Sequence, residues 1–214
     1  MFDCSGFMAF GKGGMVKICL VRPGATSFDE EGRMKGCLDI PLCQKGLEQA
    51  NSVAKEIVKE LAQSQEQSSF DAIYSAPCQS AQETAAVLAK ALDGRVKLLE
   101  SMQNVDHGLW QGKLIDEVRR TQPTVYKNIQ EHPEAFAPPG GERLEDAQDR
   151  VRKTVERLVK KHKNEFILLV VPDPLASLIR QLLVAGELGD LWKAEKDGGS
   201  WELIALQGNR LAMV

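Results

Sequence analysis

The sequence predicts a three-layer α/β sandwich with a mostly parallel central sheet. Three observations predict it. Short runs rich in Val, Ile and Leu alternate with longer stretches of helical periodicity. The runs at 16–21 (VKICLV) and 166–171 (FILLVV) are almost continuously apolar, as strands covered by helices on both faces are. No internal repeat or linker divides the 214 residues, and a hydrophobic content of 43% is enough to fill one core. A single domain over 15–214 is therefore expected, preceded by a loose, Gly-rich tail over 1–14.

The first strand, 16–21, stops at Pro23-Gly24, and a polar loop is expected to follow. Over 44–61 the apolar residues Leu47, Ala50, Val53, Ala54, Ile57, Val58 and Leu61 recur at helical spacing. A second strand is expected at 70–74, and Ser75-Ala-Pro77 opens a helix over 78–92. Residues 96–99 read as a short third strand. Between 102 and 139 the pattern is irregular, with short helices at 115–121 and 124–132 and a Pro-Pro-Gly-Gly turn. The rest comprises a long amphipathic helix at 143–163, the buried strand 166–171, a helix at 174–185, and a closing hairpin of 201–206 with 210–214. In such a sheet a ligand binds at the carboxyl ends of the strands.

A charged fraction of 27% with net charge −3 offers no basic field for nucleic acid or an anionic membrane, so neither partner is expected. The five cysteines (Cys4, Cys19, Cys37, Cys43, Cys78) are odd in number and scattered, without C-x-x-C spacing. They indicate neither a disulfide framework nor a zinc site, and a reducing cytoplasm is the expected location. No apolar run reaches the ~18 residues of a spanning helix. No cofactor is indicated.

The carboxyl end of the first strand reads Leu20-Val21-Arg22-Pro23-Gly24-Ala25-Thr26. It is followed by Gly32-Arg33-Met34-Lys35-Gly36-Cys37-Leu38-Asp39-Ile40-Pro41-Leu42 and by Gly46-Leu47-Glu48-Gln49-Ala50. Further along come Tyr74-Ser75-Ala76-Pro77 with Thr84-Ala85, then Gly108-Leu109-Trp110-Gln111-Gly112, then Pro138-Pro139-Gly140-Gly141-Glu142. In this order and spacing the segments resemble the signature of the histidine phosphatase superfamily, whose fold is phosphoglycerate mutase-like. The family pattern is Arg-His-Gly-Glu-Thr, Gly-Arg-x-Gln-Gly-x-x-Asp-x-Pro-Leu and Gly-x-x-Gln-Ala. The resemblance runs from Val16 to the C-terminus.

The resemblance implies phosphoryl transfer to a histidine, with two arginines and a second histidine around the phosphate and a carboxylic acid protonating the leaving oxygen. Four of those positions are occupied differently here. Pro23 stands where the nucleophilic histidine belongs, and a proline nitrogen within an amide has no lone pair for attack on phosphorus. Ser80 stands for an arginine, bringing a hydroxyl but no charge. Asn104 stands for the acid, and its carboxamide is no general acid. Asp173, before Pro174, stands for the second histidine. The expectation is a pseudoenzyme with a binding or regulatory role through a vestigial phosphate pocket, its partner a phosphate-containing small molecule or a protein. Arg22, Arg33, Lys35 and His107 are its candidate ligand-binding residues.

The residues leave alternatives open. A phosphatase or phosphomutase with altered chemistry would draw on His107, Asp173 or a cysteine, of which Cys37 and Cys78 border the inferred pocket. Asp173 with Pro174 also reads as the start of a helix, or as an internal partner for Arg22. His162, among lysines at a helix end, reads as a solvated residue matching the helix dipole, and His132, before Pro133, as a loop residue.

Overall fold

A computed structural model describes residues 15–63, 69–184, 188–194 and 198–207. Five strands form one sheet: β1 (Met15–Val21), β2 (Ala72–Ser75), β3 (Val96–Leu98), β4 (Phe166–Val170) and β5 (Trp201–Gln207), in the order β3-β2-β4-β1-β5. The four strands β1 to β4 run parallel, and β5 lies antiparallel on β1 with Val21 opposite Trp201 and Met15 opposite Gln207. All five residues of β4 are buried, which is why it reads as a continuous apolar run.

The helices are α1 (Ser27–Glu31), α2 (Gln44–Gln63), α3 (Gln79–Ala91), α4 (Ile115–Thr121), α5 (Pro123–Glu131), α6 (Leu144–Lys161), α7 (Leu175–Val184) and α8 (Leu191–Ala194). The chain leaves β1 and β2 toward one edge of the sheet through α2 and α3, which pack together, and returns through α6 and α7, which also pack together. With right-handed crossovers these two pairs cover opposite faces. The direction reverses between the neighbouring strands β1 and β4, so the crevice beyond their carboxyl ends is the topological switch point of the sheet.

Most expected elements stand within a residue or two of their expected limits, as helix and strand ends usually do. Three expectations need correction. The polar loop after β1 contains α1, whose Thr26 and Asp29 form a reciprocal cap: Thr26 N donates to Asp29 Oδ2 (2.6 Å) and Asp29 N to Thr26 Oγ1 (3.4 Å). Leu47 and Val58 do not join the core; at 42% and 41% exposed, they lie on one flank of the buried stripe Ala50, Val53, Ala54, Ile57 and Leu61.

His162 is not solvated. It is 4% exposed at the end of α6, where Nε2 meets Tyr74 Oη (2.8 Å) and Nδ1 meets Glu165 Oε2 (2.5 Å). A phenol buried on the sheet needs a polar partner, and the first residue past the helix supplies it. The strand β5 pairs antiparallel with β1, while the expected hairpin strand 210–214, like the tail 1–14, lies outside the described residues.

The turn after β1 lies against the first turn of α2 with backbone on backbone. A Cβ on Gly24 would sit 2.1 Å from Gly46 O, and one on Gly46 would sit 1.9 Å from Ala25 O. Glycine is required at both places by contact rather than by dihedral angle. Gly-to-Ala inside a helix ordinarily stabilises by up to about 1 kcal/mol. Gly46→Ala is predicted to do the opposite, lowering stability by about 2 kcal/mol or more in denaturant unfolding, because neither backbone can yield.

Candidate functional site

The parallel register pairs Val21 with Val170, and Val171 N donates to Val21 O (3.0 Å). The residues that follow the two strands therefore emerge side by side at the switch point. There Arg22 Nε donates to Asp173 Oδ2 at 2.7 Å, with the Asp173 side chain only 5% exposed. The other carboxylate oxygen, Oδ1, accepts from Ser177 N (3.1 Å) and Ser177 Oγ (2.7 Å) in the first turn of α7. Both readings of Asp173 as a structural residue therefore hold together: it pairs with Arg22 and satisfies the amino end of α7. The helix begins one residue later than expected, at Leu175, and the Asp173–Pro174 peptide is cis.

Arg22 also reaches Glu202 Oε1 on β5 through Nη1 (3.4 Å), and Glu202 Oε2 accepts from Arg180 Nε on α7 (3.1 Å). Burial works against the Arg22 charge, but Asp173 and Glu202 outweigh it and hold the guanidinium above its ordinary pKa.

Pro23 is buried in the turn between β1 and α1. Its carbonyl accepts from Gly199 N (2.7 Å), while Arg22 N donates to Ser200 O (2.8 Å). Gly24 N donates to Thr84 Oγ1 on α3 (3.1 Å) and Ala25 N to Gln49 Oε1 on α2 (2.8 Å). Proline has no N–H, so at 23, 24 and 25 every backbone donor is either missing or bonded within the chain.

The other two candidate cations are paired as well. Arg33 Nε meets Glu31 Oε2 (2.5 Å) and Nη1 donates to Gly112 O (2.8 Å), which turns it toward the 112–114 segment. Lys35 forms an ion pair with the buried carboxylate of Asp29, the same residue that caps α1. The positive charge of Lys35 works in the direction of lowering the pKa of both Cys78 and His107. Ser80 is buried near the start of α3, its Oγ 3.8 Å from Cys78 Sγ. Asn104 is buried; Nδ2 donates to Gly36 O (3.0 Å), and among the described residues nothing donates to Oδ1.

His107 is 1% exposed and packs edge-on against Phe136, with ring centroids 5.2 Å apart. Burial drives its pKa down to about 4, so the imidazole is neutral at pH 7. The surrounding seam is closed by Leu109 N to Pro139 O (2.9 Å) and Glu142 N to Asp106 O (2.8 Å). Burial likewise pushes the thiols of Cys37 and Cys78 up, away from the thiolate a nucleophile requires. His132 is exposed at the end of α5, 3.4 Å from Glu134. Among the described residues no group of three or more His, Cys, Asp and Glu side chains is placed to hold a metal ion, and no helix is long and apolar enough to cross a membrane.

Sequence reasoning brought Arg22 and Asp173 to one place but missed Ser177, Glu202, Arg180 and Asp29. Only Asp29 has a local signal, the Thr-x-x-Asp spacing of a capping box. Thr84, Gln49 and Asp39 belong to the segments that resemble the family signature. Thr84 and Gln49 hold the turn, and Asp39 Oδ1 accepts from Gln79 N (2.5 Å), capping α3 from the 36–43 loop.

The fold and the switch-point crevice define an open α/β domain of the phosphoglycerate mutase-like type. The sequence model of the histidine phosphatase superfamily (branch 1) matches residues 18–214, and the chain belongs to that family. It is 29% identical over 196 residues to phosphoserine phosphatase 1 of Hydrogenobacter thermophilus, covering 92% of this chain and 89% of that protein. It is 32% identical over 157 residues to phosphoglycerate mutase-like protein 4 of Arabidopsis thaliana, covering 72% and 65%. Among solved structures, Bacillus stearothermophilus YhfR superposes with a TM-score of 0.74 at 26% identity, covering 92% and 94%. An Entamoeba histolytica phosphoserine phosphatase solved with 3-phosphoglyceric acid shares the fold, with a TM-score of 0.70 at 24% identity, covering 88% and 89%.

The buried His107 makes stability depend on pH. Its folded pKa, about 4, lies below the ordinary value of 6.5, so the unfolded chain takes up the proton first as pH falls. The contribution is complete above pH 6.5 and is lost as pH drops from 6.5 to about 4, by roughly 3 kcal/mol at most. Denaturant unfolding measured across that interval is expected to show the loss. His107→Phe, which keeps an aromatic ring beside Phe136, is expected to flatten it.

Proposed function

We propose that this member of the histidine phosphatase superfamily does not carry out phosphohistidine chemistry and acts as a binding or regulatory protein on the family fold. The observation that carries the reading is Pro23, in the turn Arg22-Pro23-Gly24 where the resemblance puts the nucleophile. An imidazole there attacks phosphorus through a free lone pair; the proline nitrogen is acylated and buried in a turn held from α2, α3 and the 198–200 segment. Ser80, Asn104 and Asp173 remove the second guanidinium, the acid and the second histidine in the same reading. Loss of an acid costs about 10² to 10⁴ in rate and loss of a nucleophile about 10⁶, without simple additivity.

The names of the relatives favour a second reading, a phosphatase with replaced catalytic residues, because the proteins similar over most of the chain include phosphoserine phosphatases. It would draw on His107, Asp173, Cys37 or Cys78. Against it stand the burial of His107, the engagement of both Asp173 oxygens, and the raised pKa of both thiols. The ligand classes that suit the first reading are a protein partner and a phosphorylated small molecule, such as the 3-phosphoglyceric acid and phosphoserine held by Entamoeba histolytica phosphoserine phosphatase.

Steady-state assays with p-nitrophenyl phosphate and phosphoserine separate the readings. The first expects release of phosphate no faster than the blank. Turnover that scales with the purified chain and disappears in one of His107→Ala, Asp173→Ala, Cys37→Ala or Cys78→Ala would establish the second.

A further inference from the structure

We propose that Asp173 is the chain's own substitute for a bound phosphate: a tethered carboxylate that fills the anion position built by Arg22 and the amino end of α7, so that the site turns external phosphate away. The inference deepens the non-catalytic reading and rests on it for the location of the phosphate position. It narrows the ligand at this place to one recognised without a phosphate group.

Three donors from two elements converge on the carboxylate: Arg22 Nε on Oδ2, and Ser177 N and Oγ on Oδ1. A guanidinium, a helix N–H and a hydroxyl at a strand's carboxyl end make up an anion receptor, and α7 with its ten residues carries the dipole of a full helix. Here all three donors are engaged by the protein itself. A second carboxylate, Glu202, meets the other side of the same guanidinium, and Arg180 in turn balances Glu202. The formal charges of these four groups sum to zero, so the guanidinium offers a dianion no uncompensated charge.

The neighbouring turn adds no donor, because Gly24 N and Ala25 N are bonded to Thr84 and Gln49 and Pro23 has none. An incoming phosphate would have to displace a group already held in place. Tethering gives the carboxylate an effective concentration of about millimolar or more. Its charge also repels the competitor at close range.

The test is a calorimetric titration of the purified chain with inorganic phosphate, with thermal unfolding in parallel. Wild type is expected to show no saturation up to about 10 mM phosphate and no rise in Tm. Asp173→Ala empties the position and is expected to bind phosphate at least about tenfold more tightly, with a Tm that phosphate restores. Asp173→Asn, which keeps the shape and an acceptor for Ser177 but drops the charge, is the second variant and is expected to shift in the same direction. Adding Arg22→Met to either is expected to abolish the gain. Wild type that saturates as tightly as the variants, or folded variants that bind no better than wild type, would overturn the proposal. Hydrolysis is read separately: wild type that binds phosphate yet turns nothing over sinks the occlusion alone, and turnover without phosphate saturation sinks the non-catalytic reading alone.

Discussion

The pair between Arg22 and Asp173 is the interaction on which the carboxyl end of the sheet depends. It joins the exits of two adjacent parallel strands, β1 and β4, at the point where the chain reverses its direction of winding. From it a closed circuit runs through Ser177 and Arg180, one turn apart on α7, to Glu202 on β5 and back to Arg22. One guanidinium thereby fixes the strand it follows, the antiparallel edge strand beside it and the helix above both. Burying two charges costs solvation, and such a pair is favourable only when the remaining donors and acceptors are satisfied. Both carboxylate oxygens are bonded here, one of them twice.

The same economy governs the rest of the candidate site. Each cation brought there lies against a carboxylate: Arg22 with Asp173 and Glu202, Lys35 with Asp29, Arg33 with Glu31. The glycines at 24 and 46 bring two backbones into contact and close the turn from beneath, while Gly108 and Gly141 do the same where the 104–112 segment meets the 138–142 turn. A Cβ on Gly108 would lie 2.4 Å from Pro139 O. Close backbone contacts thus shape both segments, while Arg22, Lys35 and Arg33 are each balanced by a carboxylate of the chain.

The sheet was legible because its signals are local. Apolar runs of strand length, Pro-Gly and Gly punctuation, and helical periodicity each report on neighbours in sequence, and β4 and α6 stand almost where periodicity puts them. The candidate site was legible in part, since the strand ends that carry Arg22 and Asp173 follow from the same signals. What stayed hidden depends on contacts across the chain. His162 carries a lysine-rich, solvent-like neighbourhood in sequence, yet Tyr74, 88 positions away, buries it. Glu202 and Arg180 have no motif, and only the return of β5 alongside β1 makes them members of the circuit. The short helix α1 was within reach, because its capping residues Thr26 and Asp29 are three apart, but a five-residue helix has too little apolar pattern to announce itself.

A double-mutant cycle on Arg22 and Asp173 measures most directly how the carboxyl end of the sheet depends on their pairing. It would use Arg22→Met, Asp173→Asn and the double variant, with each stability taken from denaturant unfolding. A partly buried, hydrogen-bonded pair that organises this end of the sheet predicts a coupling energy of about 2 kcal/mol or more between the two positions. A coupling within about 0.5 kcal/mol of zero would mean that the two side chains act independently and that their pairing does not organise this end of the sheet.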